Sequence, residues 1–204
     1  MDGSTSIAGN AGMQELILAS TSPYRRDLLA RLALPFTTIA PGVDEDTVKR
    51  TAPDALAVVT TLARAKAQAV AASRRGAIVI GSDQAATLDG IVLDKPGSAA
   101  NAQAQLARLQ GREHRLLTAV AIVHPRGLVE FVDTTLLAMR TLSAAEIARY
   151  VAAERPFDCA GSYKIEGLGI ALFERIVGGD PTAIVGLPLL RLAAELRALG
   201  LPVP

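Results

Sequence analysis

Between Leu16 and Leu29 the sequence reads LILASTSPYRRDLL: an apolar run, a Ser-Thr-Ser-Pro turn, an aromatic ring and then two guanidinium groups. Ser22 fits an N-cap and Pro23 the first helical position, which puts Arg25 and Arg26 in the first turn of a helix. Free backbone N–H groups and the positive end of the helix dipole already favour an anion there. An anion site is one reading; a solvated Arg-Arg pair on an exposed face is the other, and this stretch alone does not separate them. Lysine usage adds weight to the first. Only four lysines stand among the 21 basic residues, and an ammonium is a compact point charge suited to phosphate. Lys66, on an Ala-rich helical stretch, and Lys95, in LDKP, read as functional. Lys164 lies in a glycine-rich loop, and Lys49, in a charged loop, reads as a residual surface lysine. Asp83 ends the buried-looking strand AIVIGSD, where a carboxylate sits at the rim of a cleft in an α/β fold, or else caps a turn. The run VDED over residues 43–46 supplies further carboxylates that could help Asp83 hold Mg²⁺ or Mn²⁺ against phosphates; an acidic turn is the more frequent meaning of such a run.

Several classes of function are excluded. There is no G-x-x-x-x-G-K-[ST] phosphate loop, and GLG at residues 167–169 lacks the third glycine of a dinucleotide fingerprint. Neither Ser20 nor Ser22 lies in a G-x-S-x-G elbow. With 21 basic and 20 acidic side chains the net charge is +1, which argues against a nucleic-acid polymer as partner. His114 and His124 stand apart from any Cys or Asp/Glu grouping and read as structural. The single cysteine, Cys159, allows no internal disulfide and reads as a small buried hydrophobe of a reducing compartment. No apolar run is long enough to span a bilayer and the first residues lack a signal-peptide pattern, so no membrane and a cytoplasmic location are expected. Residues 1–13, rich in Gly, Ser and Ala, are expected to form a loose tail, with Met13 a candidate start of the folded chain, and residues 14–204 a single domain.

Strand-length apolar runs alternate with helical patterns, which predicts an α/β fold. Leu16–Ala19 and FTTIA read as strands, residues 53–73 as a long helix, and Asp89-Gly90 as a tight hairpin turn. Residues 101–109 read as a helix. Two strands around the turn Pro125-Arg126-Gly127 predict a mixed, partly antiparallel sheet. Ser143 and Glu146 form a capping-box pattern, CAGSYKIEGLGI reads as a loop, and an amphipathic helix ends at Gly200.

Taken together and in this order, LASTSPYRR, VDE, GSDQ, DKP, AGSYKIEGLGI and GDPTAIVGLPL resemble the Maf family of nucleoside triphosphate pyrophosphatases over nearly all of residues 16–199. The resemblance implies a mixed, elongated sheet flanked by helices, with two lobes around a deep nucleotide-binding cleft. It also implies metal-dependent attack of water, releasing pyrophosphate and a nucleoside monophosphate, and a homodimer. By position it assigns Asp83 as the catalytic carboxylate, Ser20, Arg25, Lys66 and Lys95 to the triphosphate pocket, and Glu45 as a further acidic group assisting a divalent metal held by Asp83. Three positions depart from members similar to dTTP and UTP pyrophosphatases: Tyr24 replaces an arginine, Gln84 a threonine and Glu166 a glutamine. All three match the subfamily that resembles 7-methyl-GTP pyrophosphatases, where tryptophan rather than tyrosine is expected at position 24. Methylation at N7 leaves guanine with a delocalised positive charge, which an aromatic face attracts. Glu166 accepts from the guanine donor edge, while Gln84 both donates and accepts. The competing readings are a pyrophosphatase for dTTP, UTP or other unmodified nucleotides, and a non-catalytic nucleotide-binding regulator of cell division.

Overall fold

Leu16–Ala19 (β1) alternates its side chains between two apolar layers, Leu16 and Leu18 on one face and Ile17 and Ala19 on the other, and so is buried on both. A computed structural model describes residues 14–204; the loose tail expected over residues 1–13, and Met13 with it, lie outside the described residues. β1 pairs in parallel with Thr37–Thr38 (β2) on one side and with Ile78–Leu88 (β3) on the other. β3 then pairs antiparallel with Glu113–His124 (β5), which is followed outward by Gly127–Met139 (β6) and Phe173–Val177 (β7). Ile91–Leu93 (β4) folds back on β3 to complete a seven-stranded mixed sheet. The turn between β3 and β4 is Asp89-Gly90, with φ of 52° and 81°, the pair of left-handed residues a two-residue hairpin of this twist requires.

Among the described residues there are six α-helices: Pro23–Ala30 (α1), Glu45–Thr51 (α2), Ala55–Ala71 (α3), Ala99–Leu109 (α4), Ala144–Glu154 (α5) and Leu189–Ala198 (α6). α1 and α6 pack on one face of the β1–β3 half, and α3 on the other. A separate apolar cluster, built on Ala86, Leu88, Leu116, Leu137 and Met139, carries α4 and α5 at the far half of the sheet. β3 passes from one half to the other: Ile78 and Ile80 belong to the first and Ala86 and Leu88 to the second. Asp83 and Gln84 lie between them, where the layers part. Asp83 therefore does not end its strand, as the sequence suggested; it sits at mid-strand with five residues of β3 still to follow.

Two elements were not expected. α2 occupies the segment read as an acidic turn and charged loop; Asp44 caps it by accepting from Thr47 N, yet none of its residues is buried. β7 is an exposed edge strand whose FERIV sequence lies within the glycine-rich region following α5. The Ser143–Glu146 capping box forms as expected, and the Glu146 carboxyl falls to about 2 through the hydrogen bonds it takes from the Ser143 backbone and side chain.

β3 and α3 approach each other closely at Gly81. A Cβ there would stand 2.2 Å from the Ala63 carbonyl oxygen and 2.6 Å from Ala67 N, so the α3 backbone rests directly on β3. Gly81→Ala is expected to force the helix outward and to cost about 1–3 kcal/mol, the usual range for overpacking; a urea midpoint equal to that of the unsubstituted protein would contradict this close packing. His114, 2% exposed, shares a 3.0 Å hydrogen bond between its Nε2 and the Tyr163 hydroxyl, and burial lowers its pKa to about 4. Between that value and the usual 6.5 the unfolded chain holds a proton the folded chain does not, so stability falls as pH drops through this window. Urea unfolding between pH 7 and pH 5 checks this: the slope with pH should flatten in His114→Phe.

Candidate functional site

A cleft of about 320 Å³ opens where β3 passes between the two apolar halves. Its walls come from the turn after β1, the first turn of α1, α2, the middle of α3, the β4 hairpin and the loop following α5. The local sequence explains each placement. Ser22 accepts a hydrogen bond from Arg25 N and starts α1, while Ser20 Oγ accepts from Ser22 N and shapes the preceding turn. Arg25 then reaches back across the cleft floor and donates from Nε to the Gly186 carbonyl at 2.9 Å.

At the centre lies Lys66, only 6% exposed. Its Nζ is 2.7 Å from Asp83 Oδ1 and 2.7 Å from Glu45 Oε1, so one ammonium bridges two carboxylates from β3 and α2. Burial raises the pKa of Asp83, against the opposing pull of Lys66 and Arg25. For Glu45 burial acts in the same direction but is outweighed by the hydrogen bond and charge of Lys66, helped by Lys49 and Lys95, and its pKa falls. Asp83 Oδ2 takes no hydrogen bond from the described residues, yet is not fully enclosed, so it opens on the cleft.

Ser20, Tyr24, Arg25, Glu45, Lys66 and Lys95 line this cleft together with Asp83, Gln84 and Glu166. Arg26 does not. One residue along a helix is a rotation of about 100°, which turns its side chain to solvent, where it pairs with Asp27 at 2.8 Å; the phosphate role expected for Arg26 has no support in the geometry. Lys49, read as a residual surface lysine, is exposed on α2 and also borders the cleft, 3.3 Å from Asp94. Cys159 is not a fully buried hydrophobe: it is half-buried in the cleft wall, and burial together with the neighbouring Asp158 pushes its thiol up to about 12.

The charges are sorted along the cleft. Arg25, Lys49, Lys66 and Lys95 gather around Glu45 and Asp83. Around Tyr24 the charged groups are instead Asp158 and Glu166, and burial followed by these negative neighbours raises the pKa of the phenol. Gln84 is fixed in one orientation. Its Nε2 donates to the carbonyls of Ala183 at 2.8 Å and Ile184 at 3.3 Å and to Thr118 Oγ1 at 2.9 Å; two carbonyl acceptors on one side require the nitrogen there. Its Oε1, with no partner among the described residues, is left as an acceptor.

The segment that sets this geometry, residues 180–190, falls almost wholly in GDPTAIVGLPL, which the sequence reading took as part of the family resemblance without giving any of its residues a role. Asp180, 4% exposed, accepts from Thr182 N at 2.8 Å, Thr182 Oγ1 at 2.6 Å and Leu190 N at 2.6 Å. Thr182 Oγ1 also accepts from Leu189 N. These bonds cap α6 and fold the segment so that its carbonyls face inward. The Gly186 carbonyl receives Arg25 and the Ser82 hydroxyl, and the Ala183 carbonyl receives Gln84 and the Thr118 hydroxyl. The signal was present as D-x-T ahead of an apolar helix, a cap pattern displaced from the helix start by a loop.

Among the described residues no three His, Cys, Asp or Glu side chains cluster as a metal site. The pair Glu45 and Asp83 nevertheless converges on one point, now held by the Lys66 ammonium, and offers hard oxygen donors of the kind Mg²⁺ and Mn²⁺ take when phosphate oxygens complete the shell.

Residues 15–199 match the family described as Maf-like protein. A 7-methyl-GTP pyrophosphatase of Xanthomonas oryzae pv. oryzae (strain MAFF 311018) is 54% identical, covering 94% of this chain and 100% of that protein. One from Alkalilimnicola ehrlichii is 51% identical, covering 92% of this chain and 94% of that protein. Among solved structures, the Staphylococcus aureus Ham1 protein has a TM-score of 0.51 at 16% identity, covering 91% of this chain and 100% of that one, a likeness of fold alone. No helix among the described residues is long and apolar enough to cross a membrane.

Asp180→Ala removes three hydrogen bonds to a buried carboxylate and is expected to cost about 2–4 kcal/mol. It should also weaken nucleotide binding, because the carbonyls holding Arg25 and Gln84 lose their anchor. Urea unfolding and nucleotide titration of this variant check both effects; an unchanged midpoint with unchanged affinity would remove the segment from the site's support.

Proposed function

The chain belongs to the Maf-like protein family, and we propose that it is a nucleoside triphosphate pyrophosphatase whose substrate is 7-methyl-GTP, hydrolysed to 7-methyl-GMP and pyrophosphate. The observation that carries the base assignment is the fixed Gln84 amide. With its nitrogen engaged by the 183–184 carbonyls it presents only an oxygen, and Glu166 presents a carboxylate in the same cleft. Two acceptors suit the N1 and exocyclic N2 donors of guanine, and the Tyr24 ring suits the cation that N7 methylation creates. The structure narrows the sequence expectation here, since Gln84 is left to accept only. The curated relatives at 54% and 51% identity carry the same activity in their names.

In this reading the triphosphate lies among Arg25, Lys66 and Lys95, with Ser20 on the turn beside them, and Lys49 joins this group from α2. These cations hold the α-phosphate in line and spread the charge that develops on its oxygens, which is the larger part of phosphoryl-transfer catalysis. Asp83, at mid-strand with Oδ2 open to the cleft, takes the proton of the water that attacks the α-phosphorus, and the bond to the β-phosphate oxygen breaks to release pyrophosphate. Burial raises its pKa toward the range useful to a base. Arriving phosphate competes with Asp83 and Glu45 for the Lys66 ammonium, which frees both carboxylates. Those two residues would hold a divalent cation, Mg²⁺ or Mn²⁺, which when bound supplies further positive charge against the phosphates and a more acidic water. The same reading carries a cytoplasmic location and a homodimer.

The test is pyrophosphate release from 7-methyl-GTP, GTP, dTTP, UTP and CTP with Mg²⁺ or Mn²⁺, alongside Asp83→Ala. 7-methyl-GTP should lead, and the variant should lose at least about a hundredfold in kcat, in line with removal of a general base. A pyrimidine nucleotide in first place would discard the base assignment, and binding without turnover would favour a regulator.

A further inference from the structure

Asp158 has no place in the scheme above, yet it is the residue that ties the two walls of the cleft together at the base end. It lies in the loop after α5, lines the cleft, and accepts the Tyr24 hydroxyl proton at Oδ2 over 3.3 Å, across 134 positions of sequence. Its other oxygen faces the Cys159 thiol at 3.5 Å and Lys164 Nζ at 3.8 Å. The lysine is too distant for a tight pair, and its Nζ also points to the Glu154 carbonyl at 3.5 Å. The Asp158 side chain keeps 57% of its surface exposed, so Lys164 offsets its charge only in part and the carboxylate stays accessible from the cleft it lines. Together with Glu166 it makes the Tyr24 end anionic, opposite the cations around Asp83.

We propose that Asp158 is a specificity-determining residue: its carboxylate holds the Tyr24 ring across the cleft and supplies negative charge that favours a positively charged purine over its neutral parent. This rests on the base assignment of the proposed function and adds to it a residue and a physical cause. An aromatic face attracts a cation by its quadrupole, but a ring also stacks on neutral guanine, so stacking alone discriminates weakly. A fixed negative charge beside the ring acts on the methylated base and hardly on the unmethylated one. Donation of the phenolic proton to a carboxylate also enriches the ring face and restricts its rotation. A nucleotide with a triphosphate at one end and a cationic base at the other then matches the cleft at both ends.

The experiment compares kcat/KM for 7-methyl-GTP and GTP in the unsubstituted protein, Asp158→Asn and Asp158→Glu. Asparagine keeps an acceptor for Tyr24 and removes the charge; glutamate keeps the charge. The ratio of the two substrates should fall about fivefold in Asp158→Asn, mainly through KM, the size expected of a partly solvated charge pair, and Asp158→Glu should restore most of it. In the unsubstituted protein the preference should shrink as salt is raised from 0.05 to 0.5 M, and less so in Asp158→Asn. If 7-methyl-GTP is preferred and Asp158→Asn leaves the ratio unchanged, the inference is overturned while the base assignment stands. A parent protein with no preference for the methylated nucleotide overturns both.

Discussion

Lys66 is the hinge of the site. An ammonium that is almost wholly buried survives only if its desolvation is offset, and here two carboxylates at 2.7 Å do so. The dependence runs both ways: Asp83, buried at mid-strand, would otherwise lose its close ion-pair partner, and α2 would lose the anchor that Glu45 gives it over the cleft. The arrangement needs α3 and β3 in direct backbone contact, which Gly81 alone permits. One missing Cβ thus places a cation where an acidic pair converges, and the same cation is the group a phosphate would seek. α2 buries no residue of its own. Its position is set by Glu45 on Lys66 and Lys49 on Asp94, contacts that are polar, directional and open to exchange for phosphate oxygens.

A second layer of support comes from backbone rather than side chains. Carbonyls in the 180–190 segment orient Arg25, Ser82, Gln84 and Thr118, and the segment is itself pinned by Asp180 and Thr182. The effect on Gln84 is chemical as well as geometric: a side chain able to donate or accept is reduced to an acceptor. The acceptor character left to Gln84 is therefore set by the backbone carbonyls of Ala183 and Ile184 rather than by the side chain itself.

This division explains what the sequence disclosed and what it withheld. β1, α1, the Asp89-Gly90 hairpin and the Ser143 capping box were legible because each depends on residues a few positions apart. α2 was not, since EDTVKRT lacks the apolar periodicity by which a buried helix is recognised, and its cap at Asp44 reads equally as a turn. The Arg25-Arg26 pair presented two equal candidates; only the angular step between them separates a cleft residue from a solvated one. Cys159 was misjudged, and the place of the exposed Lys49 at the cleft was missed, because burial and neighbours are properties of segments meeting in space. The β3 carboxylate was identified, but not its mid-strand position, because β3 runs on past Asp83 with small residues that carry no strand boundary.

The sorting of charge has a consequence for the whole cleft. A uniformly cationic groove would bind any nucleotide through its phosphates and would discriminate little among bases, since the phosphate contacts dominate affinity. Here the cationic cluster is followed by an anionic one, and the latter weakens any polyanion that slides toward it. On the proposed reading the anionic end would act twice, by rejecting a misplaced phosphate and by attracting a cationic base. Both effects would derive from Asp158 and Glu166, which stand beside Tyr24, so register along the cleft and choice of base would have a common physical origin. On the proposed reading, the α-phosphate would align over Asp83 best when the base at the far end is positively charged.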